Sequence, residues 1–255
     1  MSVLILFSTI SAFFLAVYAL CAGGAWLLVW KFGRERYAAH RIQQRPRPAQ
    51  VKREIFWSVV SILILSSLLT VTWLTAEAGW SLGYFDVDRY GWTYLAASVA
   101  IMAVVHDSYY YWAHRFMHHP KVFRHVHKLH HTFTNPTPFA SYAFHPLEAV
   151  VEVAWYAPLA FVLPVHPYAV AAYIVVLTVL NVISHLGYEF YSPGIARWFI
   201  TSTHHNMHHA RAKGHFMLYF NLWDRWMGTN MPEYEAAMQR KGDDAVPLRY
   251  HGAHE

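Results

Sequence analysis

Histidine is the residue type that sets this sequence apart. The chain of 255 residues contains 19 histidines, more than its 15 aspartates and glutamates together. Positions three and four apart share one helix face at about 5–6 Å, so a close pair or triplet of histidines can aim its imidazoles at one point. Three segments have this spacing: His114-x3-His118-His119, His127-x2-His130-His131 and His205-x2-His208-His209.

These imidazoles indicate metal binding. Neutral imidazole suits iron, zinc, copper and nickel. Eight or more convergent rings exceed the roughly four to six ligands of one ion, so two ions are the simpler interpretation. A non-catalytic metal-binding or transport protein and a haem carrier are alternatives. Transporters hold ionisable ligands near the bilayer midplane, and a membrane haem needs histidines within opposing spans, whereas these segments lie beyond the predicted span ends.

Long uncharged stretches predict a membrane protein. Hydrophobic residues make up 56% of the chain and charged residues 14%, and about 20 apolar residues suffice to cross a bilayer. The pattern predicts spans at 3–30, 55–76 and 90–112, followed by a helical hairpin at 147–163 and 168–186. The fold class expected is all-α: an integral membrane protein with about four to five transmembrane or re-entrant helices and a cytoplasmic histidine-rich catalytic cap.

Loop charge predicts the orientation. Basic residues crowd the segment 31–53, and the segment 113–147 has basic but no acidic residues, which places both on the cytoplasmic side by the positive-inside rule. The C-terminus then also lies in the cytoplasm, and a bacterial inner membrane is favoured. We attribute the net charge of +5 to contact with this membrane surface, and we expect no nucleic acid partner. The expected divisions are 1–90 (anchor helices and basic loop), 91–230 (catalytic domain) and 231–255 (polar tail, where His251 and His254 are solvated).

The three histidine segments and their surroundings resemble the fatty acid hydroxylase / sterol desaturase superfamily of membrane di-iron enzymes. The matching segments include Asp107-Ser-Tyr-Tyr-Tyr-Trp-Ala-His114-Arg, Phe123-Arg-His-Val-His127-Lys-Leu-His130-His131 and Asn221-Leu-Trp-Asp224-Arg-Trp-Met-Gly228-Thr. The resemblance covers about residues 100–230. It implies nine metal ligands, with His145 of Phe144-His145-Pro-Leu-Glu148 as an extra candidate and His204 and His215 as weaker ones. The nine are His114, His118, His127, His130, His131, His185, His205, His208 and His209.

The chemistry expected is O2-dependent hydroxylation of a C–H bond in a lipid, either a fatty acyl chain or a sterol-like molecule. Desaturation at the same site is the alternative. Two iron ions would carry it; zinc fits the ligands, and could replace iron in a structure, but has no redox chemistry. Electrons must come from a separate carrier, such as a ferredoxin or a cytochrome b5-like protein with its reductase. The chain has no Gly-x-Gly-x-x-Gly motif, and its one cysteine, Cys21, cannot hold a cluster.

Asp107 has two interpretations. It lies seven residues before His114, near the same helix face, where it can orient a ligand imidazole. Alternatively it forms a salt bridge at the helix end, with Arg115 as partner. Asp224, beside Arg225, also has two interpretations: it orients a ligand, or it contributes to structural packing.

Overall fold

The computed structural model describes residues 2–239. Over this range the secondary structure consists of helices and turns, without a β-strand. The predicted tail beyond residue 239, including His251, His254 and the C-terminus, lies outside the described residues. The all-α prediction is confirmed. The helices in chain order are α1 Val3–Ala25, α2 Pro48–Glu77, α3 Gly91–Met117, α4 Pro120–Val126, α5 Lys128–His131, α6 Pro146–Val153, α7 Tyr156–Val162, α8 Pro167–Ser184, α9 Pro193–Ala196, α10 Ser202–Arg211, α11 Leu222–Trp226 and α12 Tyr234–Gln239.

Three helices within the described range are long and apolar enough to cross a membrane. The first, Val3–Phe32, consists of α1 and the π-helical turn Trp26–Phe32 that continues it. The other two are α2 and α8. At about 1.5 Å per residue and for a bilayer core of about 30 Å, the first two helices exceed the core thickness, and α8, with 18 residues and about 27 Å, nearly matches it.

Helix α2 is polar inside and apolar outside, the reverse of a helix in water. Its buried residues include Glu54, Ser58 and Ser61, whereas Phe56 and Val71 are exposed. The polar side chains find partners within the protein: Ser58 Oγ donates to Phe139 O at 2.7 Å, and Ser61 Oγ donates to Phe144 O at 3.2 Å. Polar groups that face the bundle while apolar groups face outward are the arrangement that a lipid environment requires.

Two predicted elements differ from the prediction in detail. Helix α3 is continuous, but it carries His106, Asp107 and Arg115 and is not among the helices apolar enough to cross on composition. The first arm of the hairpin, expected over 147–163, is broken into α6 and α7. Pro158 explains the break, because it cannot donate to the carbonyl of Ala154, four residues earlier, where α6 ends.

The helices pack as a bundle with a histidine-rich cap at one end. Helix α1 packs against α2 and α8, and α3 packs against α8. The cap contains α4, α5 and α9 to α12, and α10 contacts both α8 and α12. The Trp30 indole, beyond the end of α1, donates to Leu186 O at 2.8 Å just beyond the end of α8. This bond ties the membrane helices to the segment where the histidines gather.

Candidate metal centre

The nine histidines assemble into two adjacent groups. In each group, one nitrogen from every ring lies within 4.8 Å of the corresponding nitrogens of the others. Group one contains five histidines, His114, His118, His127, His131 and His208. Group two contains four, His130, His185, His205 and His209. The groups adjoin, with ring centroids 4.5 Å apart for His130 and His209 and 4.7 Å apart for His131 and His208.

The three sequence segments do not correspond to separate groups. His130 and His131 are neighbours in the chain but belong to different groups, as do His208 and His209. Adjacent residues on a helix point about 100° apart, so one segment supplies both groups. Residues four apart stay together: His127 and His131 lie in group one, His205 and His209 in group two.

Hydrogen bonds to backbone carbonyls fix which nitrogen is protonated in three of the five group one imidazoles. The Nδ1–H of His114 donates to Phe216 O at 2.9 Å, that of His118 to Ala212 O at 3.1 Å, and that of His208 to Gly214 O at 2.8 Å. In these neutral rings Nε2 therefore carries a lone pair. A metal-bound histidine usually donates its other ring N–H to a carbonyl or carboxylate in this way.

The loop 212–215 after α10 supplies two of these carbonyls because it bends sharply. Ala212, Gly214 and His215 all have positive φ, between 50° and 62°. A Cβ at residue 214 would lie 2.4 Å from Thr229 O, so only glycine fits there without displacing backbone. The loop thereby turns its carbonyls back toward the rings of His118 and His208.

The nitrogens that face one another fit a bound cation. His114 Nε2 lies 3.0 Å from His127 Nε2, and His185 Nε2 lies 3.0 Å from His205 Nε2. Two ligands at right angles on one ion, each about 2.1 Å from it, are about 3.0 Å apart. Nδ1 of His127 is held by Glu148 and that of His114 by Phe216 O, so two lone pairs face each other at 3.0 Å. A cation between them removes that repulsion.

Unpaired atoms support the same conclusion. Within the described residues, Nε2 of His118 and of His208 are buried and have no hydrogen-bond partner. A buried polar atom without a partner costs free energy of about 1–3 kcal/mol. Burial also lowers the pKa of His208 to about 4, against an ordinary value of about 6.5. The ring is then neutral at physiological pH, which is the form that binds a metal.

Glu148 supports group one. Its Oε1 accepts a hydrogen bond of 2.6 Å from His127 Nδ1, and both side chains are fully buried. Sequence reasoning singled out this segment for His145, and the structure does not bring His145 into either group. His145 instead begins α6, where its Nδ1 accepts from Leu147 N at 3.2 Å. The signal that could have identified Glu148 is a carboxylate in an apolar stretch close to the histidine segments.

Asp107 and Asp224 both bind backbone amides. Oδ1 of Asp107 accepts from Tyr219 N at 2.7 Å. The Asp224 carboxylate accepts from Phe216 N at 3.0 Å and Met217 N at 3.1 Å. Neither has a hydrogen bond to any of the nine histidines in the part of the chain described. They position the segment 216–220, whose first residue provides the carbonyl for His114.

His204 and His215 form a separate pair outside the two groups. Their rings stack at 3.7 Å between centroids with an angle of 13°. His215 Nε2 accepts from Met231 N at 2.8 Å, and its Nδ1 donates to His204 O at 2.9 Å. Both nitrogens of His215 are used within the protein, so this pair is a structural contact between α10 and the segment before α12.

An apolar cavity adjoins group two. His130 and His185 line it, and no group one histidine does. Most of the remaining wall is apolar and comes from the membrane helices and α6 and α7. It includes Phe14, Leu65, Met102, Trp155 and Ile174. Group two thus faces a space suited to a hydrophobic molecule, whereas group one is enclosed by cap residues.

Comparison with known proteins identifies the family. The model described as "Fatty acid hydroxylase" matches residues 99–229, which include all nine histidines. The chain belongs to this family. The predicted resemblance is therefore confirmed, and with it the expectation of a membrane protein with buried histidine clusters.

Among similar members of the fatty acid hydroxylase family are sterol enzymes. The chain is 32% identical over 213 residues to "Delta(7)-sterol 5(6)-desaturase ERG3B" of Gibberella zeae, covering 79% of this chain and 66% of that protein. It is 35% identical over 195 residues to "Lathosterol oxidase" of Rattus norvegicus, covering 74% of this chain and 65% of that protein. The chain thus spans just under two thirds of the length of these relatives. No solved structure matches the chain.

Proposed function

We propose that this protein is a membrane-bound oxidoreductase that uses O2 to oxidise C–H bonds of a lipid. We further propose that it introduces a double bond into a sterol-like molecule. The observation that carries the proposal is the pair of histidine groups of which one, through His130 and His185, opens on an apolar cavity. The relatives' printed names, sterol desaturase and lathosterol oxidase, favour desaturation. Hydroxylation is the second candidate, favoured by the description of the family.

Two iron ions would occupy the groups, one in each. Iron supplies the redox chemistry that protein side chains lack and that zinc cannot provide. The residues proposed to hold it are His114, His118, His127, His131 and His208 in group one, and His130, His185, His205 and His209 in group two. The chain's own contribution is to present neutral, preoriented imidazoles, to exclude water and to hold the substrate carbon next to group two.

The overall reaction balances with an external reductant. Desaturation removes two hydrogens from adjacent carbons, and with O2, two electrons and two protons it yields the double bond and two waters. We propose a ferredoxin or a cytochrome b5-like protein with its reductase as the electron donor. Arg115, Lys121, Arg124 and Lys128 are exposed on the segment that carries His118 and His127, and this basic surface suits an acidic carrier.

The proposed setting is a bacterial inner membrane with the cap on the cytoplasmic side, as loop charge predicts. A reporter fused after residue 255 tests it. Activity of a cytoplasmic reporter is expected, and activity of an exported reporter alone would contradict the orientation.

Lipid mass spectrometry tests the function itself. Cells that express the protein, and membranes supplied with lathosterol, O2 and a ferredoxin–reductase system, are compared with a His130→Ala variant. A product two mass units lighter than its substrate indicates desaturation, and one sixteen units heavier indicates hydroxylation. Redox-inert metal in the purified protein, with no O2 consumption under any reductant, would instead favour a non-catalytic metal-binding protein.

A further inference from the structure

A second cavity lies next to the one at group two. Thr9, Ile10 and Ala171 line it, together with the segment 81–85 that follows α2. The two cavities share four wall residues, Leu69, Tyr156, Val170 and Ile174. The two cavities are therefore adjacent, with these four residues in the wall of both.

Helix α8 runs along both cavities. The first cavity extends along it from Val170 to His185, and the second from Pro167 to Ile174. From residue 167 to residue 185 a helix rises about 27 Å. Together the two cavities therefore follow the length of α8, from His185 of group two at one end to Pro167 at the other.

Polar atoms that lack partners are unevenly distributed along this space. Within the described residues, His106 Nε2 and Glu152 Oε1 are buried and unpaired, and both residues line the first cavity. The His106 ring also lies close to the backbone carbonyl of Glu152. The second cavity has one such atom, the Tyr84 hydroxyl, in an otherwise mostly apolar wall.

The His106 ring is held rigidly. Its Nδ1 lies 2.5 Å from the Tyr173 hydroxyl, which lies 2.8 Å from the Tyr219 hydroxyl. It stacks on Trp155 at 4.6 Å with an angle of 15°. When Tyr219 donates to Tyr173 and Tyr173 donates to His106, every hydroxyl hydrogen has an acceptor and the ring hydrogen of His106 lies on Nε2. An N–H donor and a buried carboxyl group in the wall of one cavity match a hydroxyl, which both accepts and donates.

From these observations, and resting on the proposed function, we infer that the two cavities bind one elongated lipid with its hydroxyl end at His106 and Glu152 and its apolar tail past Tyr156 in the second cavity. The site of oxidation is then close to the hydroxyl-bearing end of the substrate. The ligand class is a lipid alcohol with a long, rigid or extended apolar body.

Binding measurements on the whole purified protein test the tail position without requiring turnover. The probes are lathosterol and an analogue that lacks its side chain, and the readout is competition against a photoreactive sterol. Ala171→Phe fills the second cavity and is expected to weaken lathosterol binding about tenfold or more, but binding of the truncated analogue less than about twofold. Ala172→Phe is the matched control, because Ala172 is exposed on the same helix and lines neither cavity.

The same assay tests the hydroxyl position. Glu152→Leu is expected to weaken lathosterol binding about tenfold and a 3-deoxy analogue about twofold or less, while Tyr84→Phe leaves both within about twofold. Selective loss in Tyr84→Phe instead would reverse the orientation and overturn the inference. Equal losses for long and truncated ligands in Ala171→Phe would also overturn it.

A second variant guards against misfolding. Ile10→Trp fills the same cavity from α1 and should reproduce the effect of Ala171→Phe if the cavity matters, with unchanged thermal unfolding. Failure of the proposed function is distinguishable, because absence of lipid oxidation in the wild type leaves the binding pattern intact. If the wild type oxidises lathosterol but the variants weaken binding of lathosterol and of the truncated analogue equally, only the inferred binding mode in the two cavities is refuted.

Discussion

Group one and group two use the same ligand type but have different surroundings. Group one has five histidines, a buried glutamate behind His127 and three backbone carbonyls from the segment 212–216. Group two has four histidines, no carboxylate partner among the described residues, and an apolar cavity beside His130 and His185. The two groups are therefore inequivalent: group two faces the apolar cavity, and group one carries the chain segment with the exposed basic residues Arg115, Lys121, Arg124 and Lys128.

Loss of one ligand from each group gives the largest expected effect. His208→Ala and His130→Ala should each abolish lipid oxidation and lower the iron content from about two ions per chain to about one. His125→Ala, an exposed histidine between the segments, is the control and should retain both ions. Metal analysis and product assays measure this. Loss of both ions in each variant would mean a single coupled site, and full activity in both would remove the ligand assignment.

Glu148→Gln tests the carboxylate that distinguishes group one. The amide still fits sterically and its oxygen can accept from His127 Nδ1–H, but it cannot become a carboxylate when a metal ion binds the other side of the ring. The affinity of group one for its metal should fall about 10–100-fold, while that of group two stays unchanged and acts as an internal control. Metal titration with a competing chelator measures both sites. An equal loss at both sites would show that Glu148 supports the fold rather than one group.

Asp224→Ala tests whether the Asp224 carboxylate holds the backbone segment 216–220, whose first residue accepts a hydrogen bond from His114 of group one. The substitution leaves the amides of Phe216 and Met217 without acceptors and should lower the free energy of unfolding by about 1–3 kcal/mol. Asp88→Ala, on an exposed turn, is the control and should change it by less than about 0.5 kcal/mol. Thermal unfolding in detergent measures the difference. Unchanged stability would show that the segment 216–220 is held by other contacts.

The His204–His215 pair gives the smallest effect and separates pH dependence from metal binding. Burial lowers the pKa of His215 to about 3, whereas the unfolded chain has a value of about 6.5. The unfolded state therefore gains a proton first as pH falls, so stability is full above about pH 6.5 and decreases by up to about 1.4 kcal/mol per pH unit toward pH 3. His215→Gln should have a shallower slope between pH 7 and 5, with metal saturated. An unchanged slope would assign the pH dependence to other groups.

Spacing predicted that histidines of one segment lie close together, because it reports directly on helix faces. His114 and His118, or His205 and His209, need only a local helix to lie together. Assignment to a group needs tertiary structure, since His130 and His131 diverge by helix rotation. His185 has no partner at helical spacing, and only the resemblance to a known family pointed to it before the fold placed it beside His205.

The membrane helices were predictable for a similar reason, and the cap was not. Uniform apolarity marks α1, α2 and α8, whereas α3 combines a membrane-length helix with the polar residues His106 and Asp107. The roles of Glu148, Asp107 and Asp224 depend on contacts between residues 21 to 112 positions apart or on a tight turn. Such contacts leave no periodic signal in the sequence.

Two neighbouring histidine pairs, His130–His131 and His208–His209, have ring centroids 6.0 Å apart in each case, with one ring in each group. A single peptide step on two different helices thus acts as a spacer that sets how far apart two bound ions can be. An insertion of one residue before either pair would rotate both of its rings by about 100°, so that the pair would no longer supply one ring to each group. The distance between the two groups is therefore set by the covalent chain. Substitutions in the surrounding helices can change the cavity without changing that distance.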